Sequence, residues 1–260
     1  KPLVYYPLSI LMLAEIRNIL LISTPHDIEH FRFLLGSGEK WGIEISYLIQ
    51  EKPEGLAQAF LIGEKFLKDN PSALILGDNI FYGQGMSDTL VSTSQDSDNA
   101  CIFSYQVDNP KSFGVIEFDQ NQNILSIEEK PRFPKSNFAV TGLYFYDNEV
   151  SERCKILTPS NRGELEITDL NISYMKDGKL KARKFGRGYA WLDTGTHDSL
   201  LEASQFIRTI EKRQGLKISC PEEIAWRKGW IQNDELAKLA QPLKKSGYGK
   251  YLLNLLNNKT

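Results

Sequence analysis

The sequence predicts an α/β domain, and three observations carry that reading. Helical and strand periodicities alternate through the first 80 residues, and short apolar runs end in turns rich in glycine, proline and aspartate. The middle of the chain then adds strand-like runs with polar turns between them. Helix and strand in alternation imply a mostly parallel, mixed sheet covered by helices on both faces.

Leu8, Leu11, Met12 and Ile16 recur at helical spacing with Pro7 in the first turn, which predicts an amphipathic helix. A signal peptide is the alternative, but Glu15 and Arg17 end the apolar run and no small-residue cleavage site follows. Ile19–Ser23 reads as a short strand closed by Thr24-Pro25. Asp27 can cap a helix carrying Ile28, Phe31, Phe33 and Leu34, and Gly36 stops it. Ile43, Ile45 and Tyr47 alternate as a strand does. The loop from Gln50 to Gly55 leads into a helical stretch, Leu56–Leu67, and Ala73–Leu76 forms a short buried strand closed by Gly77-Asp78-Asn79.

Further strands are expected at Cys101–Val107, Phe113–Phe118, Ile124–Glu129 and Ala139–Tyr146, with Asp119–Asn123 as a hairpin tip. A helix follows over Glu164–Met175, then strands at Leu180–Phe185 and Tyr189–Leu192. From Thr196 onward the pattern is helical, with Leu200, Leu201, Ala203, Phe206, Ile207 and Ile210 on one face. Residues 1–199 are therefore assigned to the α/β core and residues 200–260 to a C-terminal helical region packed on it.

Composition narrows the function. With 41% hydrophobic residues the chain can build a core, which excludes intrinsic disorder. The 31 Lys and Arg are balanced by 33 Asp and Glu, so no basic excess is available for a nucleic-acid backbone. No stretch approaches the roughly 20 apolar residues of a membrane span. Cys101, Cys154 and Cys220 are far apart, forming neither a zinc spacing nor a disulfide framework, which points to a reducing cytoplasm. His26, His30 and His197 have no metal-ligand spacing either. The nucleophile-elbow and P-loop patterns are absent.

Two aspartates end apolar strands, the edge at which open α/β sheets bind ligands. Asp78 can offer carboxylate oxygen to Mg²⁺ or simply cap a loop. Asp193, followed by Thr194-Gly195-Thr196, can complete such a site, or it sits at the start of a helix capped by Thr194 or Thr196. Glu129 and Lys130 end another strand. There a carboxylate can accept bonds from sugar hydroxyls and a lysine can face phosphate, the alternative being a solvated charge cluster. Arg162 either clamps a phosphate or is an exposed loop arginine. Gly55 either presents a backbone N–H to a ligand or makes a turn.

The order of these motifs resembles the sugar-phosphate nucleotidylyltransferases. The resemblance is carried by Gln50 with Pro53-Glu54-Gly55-Leu56-Ala57-Gln58-Ala59, by Leu76-Gly77-Asp78-Asn79-Ile80-Phe81-Tyr82-Gly83 and by Phe113-Gly114-Val115. It continues through Glu128-Glu129-Lys130-Pro131, Pro134-Lys135-Ser136-Asn137, Val140-Thr141-Gly142-Leu143-Tyr144, Arg162 to Asp169, and Trp191 to Thr196. It implies a Rossmann-like nucleotidyltransferase fold and, by the best-matching branch, reaction of dTTP with α-D-glucose 1-phosphate to give dTDP-glucose and pyrophosphate. That reaction opens the route to dTDP-rhamnose. Related uridylyl- or cytidylyltransfer and a non-catalytic nucleotide-sugar binder are the alternatives.

Carried over motif by motif, the resemblance implies Mg²⁺ at Asp78 and Asp193, thymine at Gln50 and Gly55, and glucose at Gly114, Glu129 and Val140. Its phosphate would lie at Lys130 and Arg162, which makes Asp78, Lys130 and Asp193 the catalytic set. It further implies a cytoplasmic homotetramer with an end-product site around Tyr82, Gly83, Ser219, Glu223 and Arg227. The family opens with a strand and a loop of pattern G-G-x-G-T-R-L-x-P-x-T followed by a lysine, whereas this sequence starts at Lys1-Pro2-Leu3-Val4, which matches just after that segment. The expectation is a piece of a longer protein that turns over poorly by itself.

Overall fold

The computed structural model describes residues 1–257; residues 258–260, the end of the expected C-terminal helical region, lie outside the described residues. In chain order, α1 (Tyr5–Leu13) leads into β1 (Asn18–Ser23), α2 (Ile28–Leu35), β2 (Glu44–Ile49), α3 (Gln58–Ile62), α4 (Glu64–Leu67), β3 (Ser72–Ile75) and β4 (Asn79–Gly83). Next come α5 (Met86–Ser94), β5 (Ala100–Gln106), β6 (Gly114–Phe118), β7 (Ile124–Glu129), β8 (Phe138–Tyr146) and α6 (Val150–Lys155). The chain continues through α7 (Ile167–Lys176), β9 (Leu180–Phe185), β10 (Tyr189–Asp193), α8 (His197–Gln214), α9 (Pro221–Arg227), α10 (Asn233–Ala240) and α11 (Gly247–Asn257).

The strands form a mixed central sheet in the order β7-β6-β8-β5-β9, with β3 also on β8, and two separate pairs, β1–β2 and β4–β10, with less parallel pairing than the alternation of elements suggests. Among the described residues only β1–β2 and β5–β9 are parallel, while β3–β8, β5–β8, β6–β7, β6–β8 and β4–β10 are antiparallel. The hairpin of β6 and β7 and the long return strand β8 supply this antiparallel part. β8 organises the site. One of its edges pairs with β5, and the other is shared, with β6 opposite Ala139 and β3 opposite Leu143–Tyr146. That edge passes from one neighbour to the other between Ala139 and Leu143, the stretch that holds Val140 and Gly142.

α1 departs from the amphipathic expectation. Tyr6 to Met12 are all buried, because Leu8, Leu11 and Met12 pack into one apolar cluster, Ile10 into a second and Tyr6 into a third. Each such side chain contributes ~1.5–3 kcal/mol of burial free energy. In α2 the core face is Ile28 and Leu35, while Phe33 is 95% exposed. The stretch Leu56–Leu67 divides at Gly63 into α3 and α4. Thr196 caps α8, its hydroxyl accepting from Ser199 N–H, and Leu200 and Leu201 stay exposed on that helix. The C-terminal helices share a cluster with the first elements: Ala225, Leu236 and Leu252 pack with Met12, Ile19 and Trp41.

β3 was expected to be buried, yet all four of its residues are only half-buried, as are Leu20, Leu21 and Ile22 of β1. Among the described residues β1 pairs only with β2, and β3 only with β8. Their other edges line two cavities of about 600 and 530 Å³, which share Leu11, Leu20, Ile22, Ala59 and Leu74 as walls. Among the described residues no helix is long and apolar enough to cross a membrane.

Candidate active site

Asp78 sits in the turn between β3 and β4, and Asp193 ends β10, which pairs antiparallel with β4 so that Asp193 lies opposite Asn79. Thr194 fastens the turn, donating its N–H (3.0 Å) and its hydroxyl (2.7 Å) to the Asp78 carbonyl. A Cβ on Gly195 would lie 3.0 Å from Asp193 Oδ1 and 3.7 Å from Asp78 Oδ2, so the two carboxylates flank one small void. Burial pushes the Asp193 carboxyl above its ordinary range; the Gly195 N–H, 2.8 Å from Oδ1, opposes this, and the Asp78 charge adds to it. Two converging carboxylates with like-charge repulsion suit a hard divalent cation. Among the described residues no cluster of three or more His, Cys, Asp or Glu forms.

Gln50 and Gly55 come together in the 530 Å³ cavity, whose wall also includes Gly77. Gln50 Nε2 donates to Gln58 Oε1 (2.6 Å), and Gln58 in turn donates to Glu54 (2.7 Å). Gly55 has φ 103°, and a Cβ there would overlap the Leu165 carbonyl, so only glycine fits. Leu165 N–H donates to the Glu54 carbonyl (2.7 Å) and Ala57 N–H to the Leu165 carbonyl (3.1 Å). These bonds latch the loop that carries Gly55 onto the segment that carries Arg162.

Gly114 and Glu129 are cross-strand partners on β6 and β7. A Cβ on Gly114 would lie 3.3 Å from Thr168 Oγ1, 3.4 Å from Glu129 Oε2 and 3.7 Å from Val140 Cβ, so these residues converge. Thr168 donates to Glu129 Oε2 at 2.6 Å. Lys130 has left-handed φ (44°), held by its N–H to the Phe113 carbonyl, and its Nζ stands 3.9 Å from Glu129 Oε1. A non-glycine residue at positive φ costs energy that surrounding structure must offset. Arg162 Nη2 is 3.7 Å from Glu129 and 3.4 Å from Glu164, and both Nε and Nη2 donate to Glu166, at 2.8–3.0 Å. Glu166 is 8% exposed and also accepts from Ser160.

The three groups close into a ring. Gly142 on β8 donates to Asn79, beside Asp78, and lies two residues from Val140 at the Gly114–Glu129 cluster. From Arg162 the chain runs through Leu165 back to Gly55. Charge stands along this ring at Asp78, Glu129, Lys130, Arg162, Glu166 and Asp193. Asn79, Thr168, Glu166 and Trp191 belong to the ring but carry no assignment from sequence. Each lies inside a motif quoted for the resemblance; the partners of Asn79, Thr168 and Trp191 come from other elements, whereas Glu166 is met by Arg162 of its own loop. The residues of the expected end-product site divide in two. Tyr82 and Gly83 lie on β4 against Phe206 and Tyr189, whereas Glu223 pairs with Arg227 (2.8 Å) on α9, near Ser219. Among the described residues no hydrogen bond or ion pair joins the two halves.

Residues 1–210 match the nucleotidyl transferase family. The chain belongs to that family. It is 56% identical over 98% of its length to a glucose-1-phosphate thymidylyltransferase of Neisseria meningitidis, covering 89% of that relative. It is also 56% identical to the enzyme of that name from Mycolicibacterium smegmatis, over 100% of this chain and 90% of the relative. A crystal structure from Bacillus anthracis, of a protein assigned the same activity, is 39% identical with a TM-score of 0.72, covering 80% of this chain and 82% of its own. A UDP-glucose pyrophosphorylase bound to UDP-glucose has a TM-score of 0.69 over 80% of this chain and 87% of its own; at 23% identity it speaks to the fold alone. The chain is thus a nucleotidyltransferase with a mixed α/β sheet flanked by helices.

Proposed function

We propose that the protein transfers a thymidylyl group from dTTP to α-D-glucose 1-phosphate, giving dTDP-glucose and pyrophosphate, the first step toward dTDP-rhamnose and related deoxysugars. The observation that carries this reading is the ring, in which the cavity at Gln50 and Gly55, the paired-carboxylate void and the Gly114–Glu129–Val140 cluster are joined by hydrogen bonds and short stretches of chain. The relatives named above support the choice of base and sugar.

In this reading Gln50 and the Gly55 backbone meet the thymine edge; with Nε2 already donating to Gln58, Gln50 keeps Oε1 to accept a base N–H. Gly114 and Val140 let the glucose approach backbone, and Glu129 accepts its hydroxyls with the carboxylate oriented by Thr168. Lys130 and Arg162 hold the sugar phosphate. Its oxygen attacks the α-phosphorus in line, a new P–O bond forms, and pyrophosphate leaves with the electron pair of the broken bond. No covalent enzyme intermediate is needed, so positioning and charge neutralisation do the catalysis. Asp78 and Asp193 fit Mg²⁺, which when bound would offset phosphate charge at the reacting centre. Residues 1–199 form the catalytic core and residues 200–257 the helical region against it. A cytoplasmic homotetramer, with an end-product site at Tyr82, Gly83, Ser219, Glu223 and Arg227, completes the proposal; the exposed Leu200 and Leu201 on α8 offer an apolar contact.

Calorimetric titration with dTDP-glucose, UDP-glucose and CDP-glucose in Mg²⁺ tests the assignment. Saturable binding with dTDP-glucose tightest is expected. Tighter UDP- or CDP-glucose would transfer the reading to that base, and no binding of any would overturn it.

A further inference from the structure

Asn79 is 2% exposed, and the chemistry proposed above leaves it without a part. Its Oδ1 accepts from the Trp191 indole Nε1–H at 2.6 Å and from Gly142 N–H at 3.1 Å. With two donors on Oδ1, the orientation of the amide is fixed, and Nδ2 must face the other way. There it donates to Asp78 Oδ1 at 2.7 Å. The remaining oxygen, Asp78 Oδ2, is the one that flanks the void shared with Asp193. The fit is close enough to dictate its neighbour, since a Cβ on Gly142 would come within 2.6 Å of Asn79 Oδ1.

A buried asparagine could instead serve only to tie strands together. Two features argue for more. Tying β4 to β8 and β10 is already done by the Oδ1 bonds, and the β4–β10 ladder exists without the side chain. The Nδ2 bond adds nothing to strand pairing; it reaches a half-buried carboxylate that could take another rotamer. Outer partners of this kind fix the ligand atom that faces a cation.

We infer that Asn79 is the positioning residue of the carboxylate pair: its amide, locked by Trp191 and Gly142, holds Asp78 Oδ1 so that Oδ2 faces Asp193. The inference rests on the reading of Asp78 and Asp193 as the divalent-cation pair. It extends the site through β4 to the indole on β10 and the backbone of β8.

Mn²⁺ binding to the full chain, followed by electron paramagnetic resonance with Mg²⁺ as competitor, tests it without turnover. Asn79→Ala should weaken Mn²⁺ by ~10-fold, the scale of losing an outer partner of a ligand. In an Asp78→Asn background the same change should have no further effect, because the carboxylate it orients is gone. A folded Asn79→Ala protein with unchanged Mn²⁺ affinity, or one equally impaired in both backgrounds, would overturn the inference. If Asn79→Ala does not fold, Trp191→Phe decides: it removes one of the two donors that lock the amide, and weaker Mn²⁺ binding is expected while unchanged binding contradicts. Absence of Mn²⁺ binding by the unaltered protein is a different failure, since it removes the cation reading itself and the inference with it.

Discussion

Asp78, from the turn between β3 and β4, and Asp193, from the end of β10, reach one void, and in the proposed reading the like charge between them is what a bound cation would neutralise. Replacing either with Asn keeps the shape and removes half the charge. In a chain with the upstream glycine-rich loop restored, each substitution is expected to cost at least ~10²-fold in the rate of pyrophosphate release, the scale of one electrostatic stabiliser. Near-normal turnover of Asp193→Asn at limiting Mg²⁺ would show that the pair does not act together. Gln50 makes a second expectation. Its amide is held by Gln58 on one side only, so Gln50→Ala should weaken dTTP and UTP alike by roughly 1–3 kcal/mol in calorimetric titration. An unchanged dTTP dissociation constant would mean that Gln50 packs and does not read the base. Both aspartates were legible in the sequence because each ends an apolar run in a turn. Asn79 and Thr168 were not, because a polar residue shows its use only when its partner arrives from elsewhere in the chain: Trp191 and Gly142 for the first, Glu129 for the second.

At the scale of elements, the loop that carries Gly55 is held by backbone bonds to Leu165, and it joins the base-side cavity to the segment bearing Arg162. Gly55→Ala meets both a left-handed φ and the Leu165 carbonyl, so it should lower stability by more than ~1 kcal/mol and loosen nucleotide binding together. A thermal melt beside a dTTP titration checks this, and an unchanged melt would mean that the loop moves aside freely. Most strands were legible from alternation and turns, and the hairpin of β6 and β7 from its polar tip. β4 was hidden because Asn79 to Gly83 follows directly on a turn signal and its partner, β10, comes much later in the chain. α1 looked amphipathic because Leu8, Leu11 and Met12 mark one face, whereas Ile10 and Tyr6 bury the others against clusters formed by distant elements. Antiparallel pairing of β3 with β8 is likewise set by where the chain returns, which periodicity does not encode.

Across the whole molecule, among the described residues, β1 and β3 each leave an edge unpaired beside two cavities that share walls, the more apolar of which reaches Gln50, Gly55 and Gly77. Free strand edges invite pairing with another strand, and half-buried Leu20, Ile22 and Leu74 gain by being covered. A chain extended upstream of Lys1 by an apolar strand and the family's glycine-rich loop should therefore melt higher and aggregate less. The loop would bring backbone donors and an arginine to the triphosphate, each typically worth ~10²–10³ in rate. The decisive measurement is pyrophosphate release with dTTP and glucose 1-phosphate, made on the 260-residue chain and on the extended chain side by side. Thymidylyl transfer at this site predicts slow release from the first and at least ~10²-fold faster release, dependent on both substrates, from the second. A folded extended chain that releases no pyrophosphate would contradict the account.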